Sequence, residues 1–169
     1  MRPLTTFLTT ACMTASVHAG APSSLSVTSS AFSANGEIPS EHTCDGAQLS
    51  PPLAWSTPPA GTKSIAVLVD DPDAPRGAFT HWIVTGLPAT TTSLAAGAKL
   101  PSGAITGKND FGATGWGGPC PPRGRHRYVF HVYALDIPLA KALTPAQFKS
   151  AIADHVLAAG ELVGTYQRT

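Results

Sequence analysis

Charge is scarce in this chain. Only 12% of its 169 residues are Asp, Glu, Lys or Arg, about half the ~25% of an average globular protein. The 11 Lys plus Arg and 10 Asp plus Glu leave a formal net charge of +1. No long-range field therefore exists to draw the chain onto nucleic acid or an anionic membrane, and any site for an anion must be local. Cysteine is equally sparse, with three residues at Cys12, Cys44 and Cys120. None has a Cys-x-x-Cys neighbour or a histidine at ligand spacing, which excludes the usual zinc patterns. No run approaches the ~20 apolar residues of a membrane-crossing helix. The Gly-x-Ser-x-Gly elbow, the phosphate-binding loop and the dinucleotide fingerprint are also missing. No Ser or Cys stands in an activating motif, so the sequence points to no nucleophile, metal or cofactor.

Glycine and proline are what the chain has in quantity, 16 of each. Such punctuation favours many short elements joined by ordered turns, and the length fits one domain. At the N-terminus, Arg2 precedes an uncharged run from Leu4 to Val17 and then Val17-His18-Ala19 before Gly20. This is the pattern of a secretory signal, residues 1–19, with cleavage expected after Ala19. The expectation is an exported protein, periplasmic or secreted, with one domain over residues 20–169. Export would remove Arg2 and Cys12 and leave Cys44 and Cys120. In an oxidising compartment these two can pair, or they can stand apart as buried thiols that behave as small hydrophobes; the sequence leaves both readings open.

Along the remaining chain the periodicity reads mostly as strand. Leu25 to Phe32 begins with an alternating face, as a short edge strand does. Asn35-Gly36 marks a turn, and residues 38–59 form a proline-rich connection with Trp55 as its core anchor. Lys63 to Val69 is a continuous apolar, β-branched run, which predicts a central strand buried on both faces. It stops at Asp70-Asp71-Pro72-Asp73-Ala74-Pro75, where the prolines end ladder pairing. Phe79 to Leu87 reads as a second core strand, and residues 89–124 as a long glycine-rich loop. Arg125 to Asp136 alternates clearly, with His126, Tyr128, Phe130 and Val132 on one face and Arg127, Val129, His131 and Tyr133 on the other. Thr144-Pro145 predicts a helix start, with a stripe of Phe148, Ile152, Val156 and Leu157 and a stop at Gly160. Glu161 to Gln167 makes a last strand. Strands followed by one late helix predict a mostly β protein, an antiparallel β-sandwich with one short helix near the C-terminus.

Three segments carry chemistry. The Asp-Pro turn at residues 70–75 sets carboxylates at a strand end, where one can orient a histidine or simply face solvent. His81-Trp82 puts an imidazole inside an apolar strand, as a ligand-binding group or as a satisfied core residue. Gly115 to Gly124 is a glycine-rich stretch whose backbone N–H groups can approach an anion, frozen by Pro119, Pro121 and Pro122. Together these suit a small pocket for a phosphate or carboxylate group. A hydrolase reading has its acid and base in His and Asp but lacks a nucleophile.

These blocks, with Thr43-Cys44-Asp45-Gly46, Ser50-Pro51-Pro52-Leu53-Ala54-Trp55 and His126-Arg127-Tyr128, strongly resemble the phosphatidylethanolamine-binding protein family. The nearest likeness is to its bacterial Raf kinase inhibitor-like branch, the YbhB/YbcL type. The resemblance runs from about Leu25 to Tyr166. It implies a β-sandwich with a small surface pocket for phosphate or a phospholipid headgroup, acting by binding rather than catalysis. By motif, the pocket residues would be Asp71, Asp73, His81, Gly118, Pro121, Pro122, His126 and Tyr128. Arg127, on the opposite strand face, is expected to be structural. A protein-interaction or protease-inhibitor module working through the surface is the alternative, with a protein partner in addition to the phosphorylated ligand.

Overall fold

The structure, a computed structural model, describes residues 22–97 and 99–168. The signal segment, its cleavage point and Cys12 lie outside the described residues. The chain runs through β1 (Ser23–Ser24), β2 (Val27–Thr28), β3 (Leu53–Trp55), β4 (Ser64–Asp71), β5 (Phe79–Pro88), β6 (Ser93–Leu94) and β7 (Ile105–Thr106). It ends with β8 (Arg125–Leu135), the helix α1 (Pro145–Ile152) and β9 (Val156–Gln167). Two sheets result, one of six strands in the order β1-β9-β8-β4-β5-β7 and one of three in the order β2-β3-β6. All pairs are antiparallel except the two-residue β1, which runs parallel to β9. The mostly β sandwich with one helix is the architecture the sequence pattern predicts.

The large sheet is buried on both faces. Val67, Val69, Phe130 and Val132 pack toward the small sheet with Trp55, Phe32 and Leu53. Ala66, Leu68, Ile83 and Leu135 pack on the other side against Phe148 and Ile152 of α1. This two-sided cover explains why β4 is an unbroken apolar run, since a strand covered on both faces has no polar alternation to show. On β8, the face of His126, Tyr128, Phe130 and Val132 is buried and its neighbours are less so, as the period of two requires. Trp55 anchors its segment and donates its indole N–H to the Thr91 carbonyl at 2.8 Å.

Two local expectations change. The helix stops at Ile152, and Val156 and Leu157 belong to β9 rather than to the helical stripe. Its start is as expected, with Thr144 and Gln147 capping each other and Pro145 in the first turn, an arrangement that satisfies otherwise orphaned N–H groups. At the other end His155 N–H closes a turn on Ile152 O, and β-branched Val156 then pairs with Leu135 of β8. Gly160 is not a helix stop. It lies within β9 opposite Val132, where a Cβ would come within 2.9 Å of the Val27 side chain. Near the start of the described residues, the edge strand expected over residues 25–32 shortens to β2, while β1, just ahead of it, joins the other sheet.

The long segment between β5 and β8 covers the outer edge of β5. Gly107 N–H donates to Ile83 O, Asp110 N–H to Thr80 O and Gly117 N–H to His81 O. Backbone groups that would otherwise remain unpaired are thereby satisfied, and the covering segment is placed against the C-terminal end of β4.

Candidate functional site

A pocket of about 180 Å³ opens where β4, the start of β5, the start of β8 and this covering segment meet. Its polar side chains are Asp71, His81, His126 and Tyr128; its apolar wall includes Phe79, Phe111, Pro121 and Pro122. Asp71 terminates β4 and is 4% exposed. Its Oδ2 accepts a hydrogen bond from His126 Nδ1 at 2.7 Å, and its Oδ1 accepts from the Asp73 backbone N–H at 2.8 Å. The proline-bounded turn therefore fixes the carboxylate, and the carboxylate fixes the His126 ring with Nδ1 inward.

His81 occupies a β-bulge. Val69 pairs with Trp82 while the next residue of β4, Asp70, pairs with Thr80, so His81 is the extra residue on β5. Bulges re-aim side chains next to functional sites. His81 Nδ1 lies 2.6 Å from the Gly117 carbonyl. A carbonyl can only accept, so Nδ1 carries the proton. Burial pushes the His81 pKa down, opposed in part by the bond to Gly117. The neutral ring that results keeps Nε2 as an acceptor.

Tyr128 is fully buried, and its hydroxyl makes no well-formed hydrogen bond among the described residues, although the Asp71 carboxylate lies close enough to act on it. Burial first, and then the charge of Asp71, raises the phenol above its ordinary range, so it remains a donor. A buried unsatisfied hydroxyl costs about 1–3 kcal/mol. The aromatic rings close the chamber: Phe79 and Phe111 meet edge to face at 4.7 Å, and each lies 5.3 Å from His81.

Six of the eight residues expected at the site line this pocket: Asp71, His81, Pro121, Pro122, His126 and Tyr128. Asp73 and Gly118 lie outside its lining. The Asp73 carboxylate faces away and accepts from Arg127 at the backbone N–H, Nε and Nη2, at 2.9, 2.9 and 2.7 Å. This pairing holds its pKa down at about 2, and it gives Arg127 the structural role expected of it. Gly118 packs on the neighbouring segment, where a Cβ would sit 2.8 Å from His42 O and 2.9 Å from Thr43 Cα. Glycine is needed there for close backbone approach. Of the loop N–H groups, that of Gly117 is committed to His81 O, and Pro119 has none.

Cys44 and Cys120 form a disulfide with Cα atoms 5.4 Å apart across a sequence separation of 76. Cys120 is itself part of the pocket wall, so the bridge ties that wall to the turn at residues 40–46. Cys44 N–H to Pro119 O at 3.1 Å and Trp116 Nε1–H to His42 O at 3.2 Å reinforce the tie. Phe79 and Phe111 are pocket residues that motif reasoning missed. The one available signal was an aromatic, Phe111, inside the turn-forming string Asn109-Asp110-Phe111-Gly112, where a purely structural turn would favour a polar residue.

Among the described residues, no group of three or more His, Cys, Asp or Glu side chains is arranged to hold a metal ion. No described helix is long and apolar enough to cross a membrane.

The family model for phosphatidylethanolamine-binding protein matches residues 28–167. The chain belongs to the phosphatidylethanolamine-binding protein family. Curated relatives include a UPF0098 protein of Methanothermobacter thermautotrophicus, 43% identical over 82% of this chain and 95% of that protein. Another, from Chlamydia muridarum, is 41% identical over 85% of this chain and 99% of its own length. Two crystal structures are similar throughout. The putative phosphatidylethanolamine-binding protein homolog CT736 from Chlamydia trachomatis has a TM-score of 0.82 at 39% identity, covering 86% of this chain and 99% of that one. Escherichia coli YbcL, described as a member of the mammalian family, has a TM-score of 0.80 at 38% identity, covering 87% and 100%. As a family member the chain is a binding protein similar to the phosphatidylethanolamine-binding proteins.

Proposed function

We propose that the pocket binds the oxyanion head of a small ligand, phosphate or a phosphorylated headgroup, without chemical turnover. The observation that carries this reading is the Tyr128 hydroxyl, enclosed in the pocket wall with no well-formed hydrogen bond among the described residues, beside His126, whose ring is oriented by Asp71. A ligand oxygen accepting from Tyr128 relieves the unsatisfied donor, and a protonated His126 adds Nε2–H as a charge-assisted donor. Neutral His81 offers Nε2 to a ligand hydroxyl. Among the described residues no Lys or Arg lines the pocket, and Asp71 contributes a negative charge. The charge balance therefore favours a singly charged oxyanion that retains a proton over a dianion.

The lining supports binding over hydrolysis, since among the described residues its one sulfur is committed to the disulfide and no Ser or Thr belongs to it. The disulfide in turn supports export to an oxidising compartment, where such bonds persist. The test is a titration of the protein with inorganic phosphate and phosphoethanolamine followed by NMR. The expected result is a set of saturable shifts centred on His81, His126 and Tyr128. Shifts scattered over the surface, or none, would overturn the reading.

A further inference from the structure

The disulfide has a face that the pocket does not use. Cys44 and Cys120 are both half-buried, and both line a trough of about 320 Å³ beside the pocket, together with Gln48, Ala113 and Trp116. Among the described residues no Asp, Glu, Lys, Arg or His lines this trough. The carboxylate next to Cys44, that of Asp45, is already occupied: it accepts from the Tyr166 hydroxyl at 2.9 Å and from Arg168 Nε at 3.1 Å. An incoming thiolate, which unpaired carboxylates would repel, therefore meets none in the trough. The two sulfurs are not equally open. Residues 45–49 beside Cys44 are exposed, whereas Cys120 is flanked by the buried Pro119 and Pro121, so attack falls on Cys44. Exposed disulfides are the ones that exchange with thiols, and this one also forms part of the pocket wall through Cys120.

We propose that the trough admits a low-molecular-weight thiol to the Cys44–Cys120 bond of the folded protein, and that thiol–disulfide exchange there releases the pocket wall. The thiolate forms a bond to Cys44 Sγ, the bond between the two cysteines breaks, and Cys120 leaves as a thiolate that takes a proton from water. A second thiolate attacks the outer sulfur of the mixed disulfide, forming the small disulfide and releasing Cys44, which is protonated in turn. Two small thiols are oxidised, and the protein disulfide gains the same two electrons. The change is reversible because other bonds hold the two segments together. Cys44 N–H to Pro119 O at 3.1 Å and Trp116 Nε1–H to His42 O at 3.2 Å involve no sulfur, so the freed thiols stay within reach of each other. The effect reaches the pocket through Gly117, three residues before Cys120, which donates its N–H to His81 O at 3.0 Å and accepts from His81 Nδ1 at 2.6 Å. Whatever the pocket binds, the thiol balance around the protein then sets how firmly its wall is held.

The experiment incubates the full chain with reduced glutathione at neutral pH, alkylates samples at intervals and follows the Cys44 and Cys120 peptides by mass spectrometry. Exchange in the folded state should run within about a hundredfold of the rate in denaturant and should not change with urea below the unfolding transition. Exchange that required global unfolding would be slower by about a thousandfold or more and would climb steeply with urea; that result would overturn the proposal. Ala113→Trp fills the trough from an exposed position outside the pocket lining. The bonds of Ala113 to Asn109 are made by its backbone and survive the change. This variant should slow exchange by about tenfold or more, as expected when access to the disulfide limits its attack; an unchanged rate would show that the trough is not the route. In the reduced protein, with no ligand present, NMR should show the His81 and Tyr128 resonances moved and those of His131 and Tyr133 in place. Unmoved pocket resonances would overturn the link between the bond and the wall.

Discussion

Strands β4 and β8 carry the same three residue types twice, once on each face of the large sheet. On one face Asp71, His126 and Tyr128 line the pocket; on the other Asp70, His131 and Tyr133 lie together, with Tyr133 packed on Phe148 of α1. The sets differ in cover rather than in composition. Asp71 and His126 meet at 2.7 Å with side chains only 5% and 9% exposed. Asp70 and His131 meet at 3.2 Å with side chains 15% and 22% exposed, and His131 also faces the exposed Glu161 at 3.7 Å. The Tyr128 hydroxyl is enclosed with no well-formed hydrogen bond among the described residues, while Tyr133 stacks beside His131 and packs on Phe148. Residues 109–122 and the disulfide wall in the first set, whereas the second opens into a groove over Ala159 and Gly160. Alternation along a strand supplies both sets with equal ease. A site forms only where another part of the chain closes over one of them and excludes water.

The comparison can be broken at the cover. Replacing Cys44 and Cys120 with serine should lower the unfolding free energy by about 2–5 kcal/mol, the largest effect expected, and should broaden NMR signals around His81 and His126 while those of His131 and Tyr133 persist. Denaturant unfolding and NMR check this; equal disturbance on both faces would show that the bridge does not act as a local wall. The next test exchanges the faces. His126→Ala removes a charge-assisted bond worth about 1.5–3 kcal/mol and should weaken phosphate binding tenfold or more. His131→Ala should leave the affinity within about twofold, as expected of a side chain outside the pocket. Comparable losses in the two variants, measured by calorimetry, would end the distinction.

The smallest effect concerns the ion pair that flanks the pocket. Arg127→Ala should change stability only slightly, because solvent screens a pair this exposed. The sign follows from Asp73, whose carboxyl is held at about 2, below its usual 3.8. Its contribution is present above the usual carboxylate value and is lost as pH falls through the lower one. Wild type and variant should therefore differ near neutral pH and converge in acid; thermal melts across that range would show it. A gap that widened in acid would assign Arg127 some other partner.

Much of the fold was legible along the chain, for reasons particular residues make plain. The apolar run at Ile65 to Val69 and the alternation from Arg125 to Leu135 state how many faces of each strand are covered, and Thr144-Pro145 states where a helix begins. The end of that helix was not legible. Phe148, Ile152 and Val156 continue a helical spacing, and only pairing with Leu135 draws Val156 into β9. Most of the pocket was legible from motifs, through Asp71, His81, His126 and Tyr128. Asp73 could not be separated from Asp71 in that way, since the two share one turn and only the position of Arg127 decides which carboxylate faces outward. Phe111 lay thirty residues from His81 in a loop without periodicity, so no local pattern could place its ring against the imidazole.

By itself, then, the sequence determined the strand pattern, the turn chemistry and the stock of acid, base and donor groups, because each depends on the spacing of neighbouring residues. It also determined that no global charge could substitute for a local site. Tertiary structure decided which Asp-His-Tyr set is enclosed, which cysteines are joined and which tautomer His81 holds. Those outcomes depend on the approach of segments far apart in the chain: the Gly117 carbonyl reaches His81 and Cys44 reaches Cys120 only once the covering segment is laid along the edge of β5.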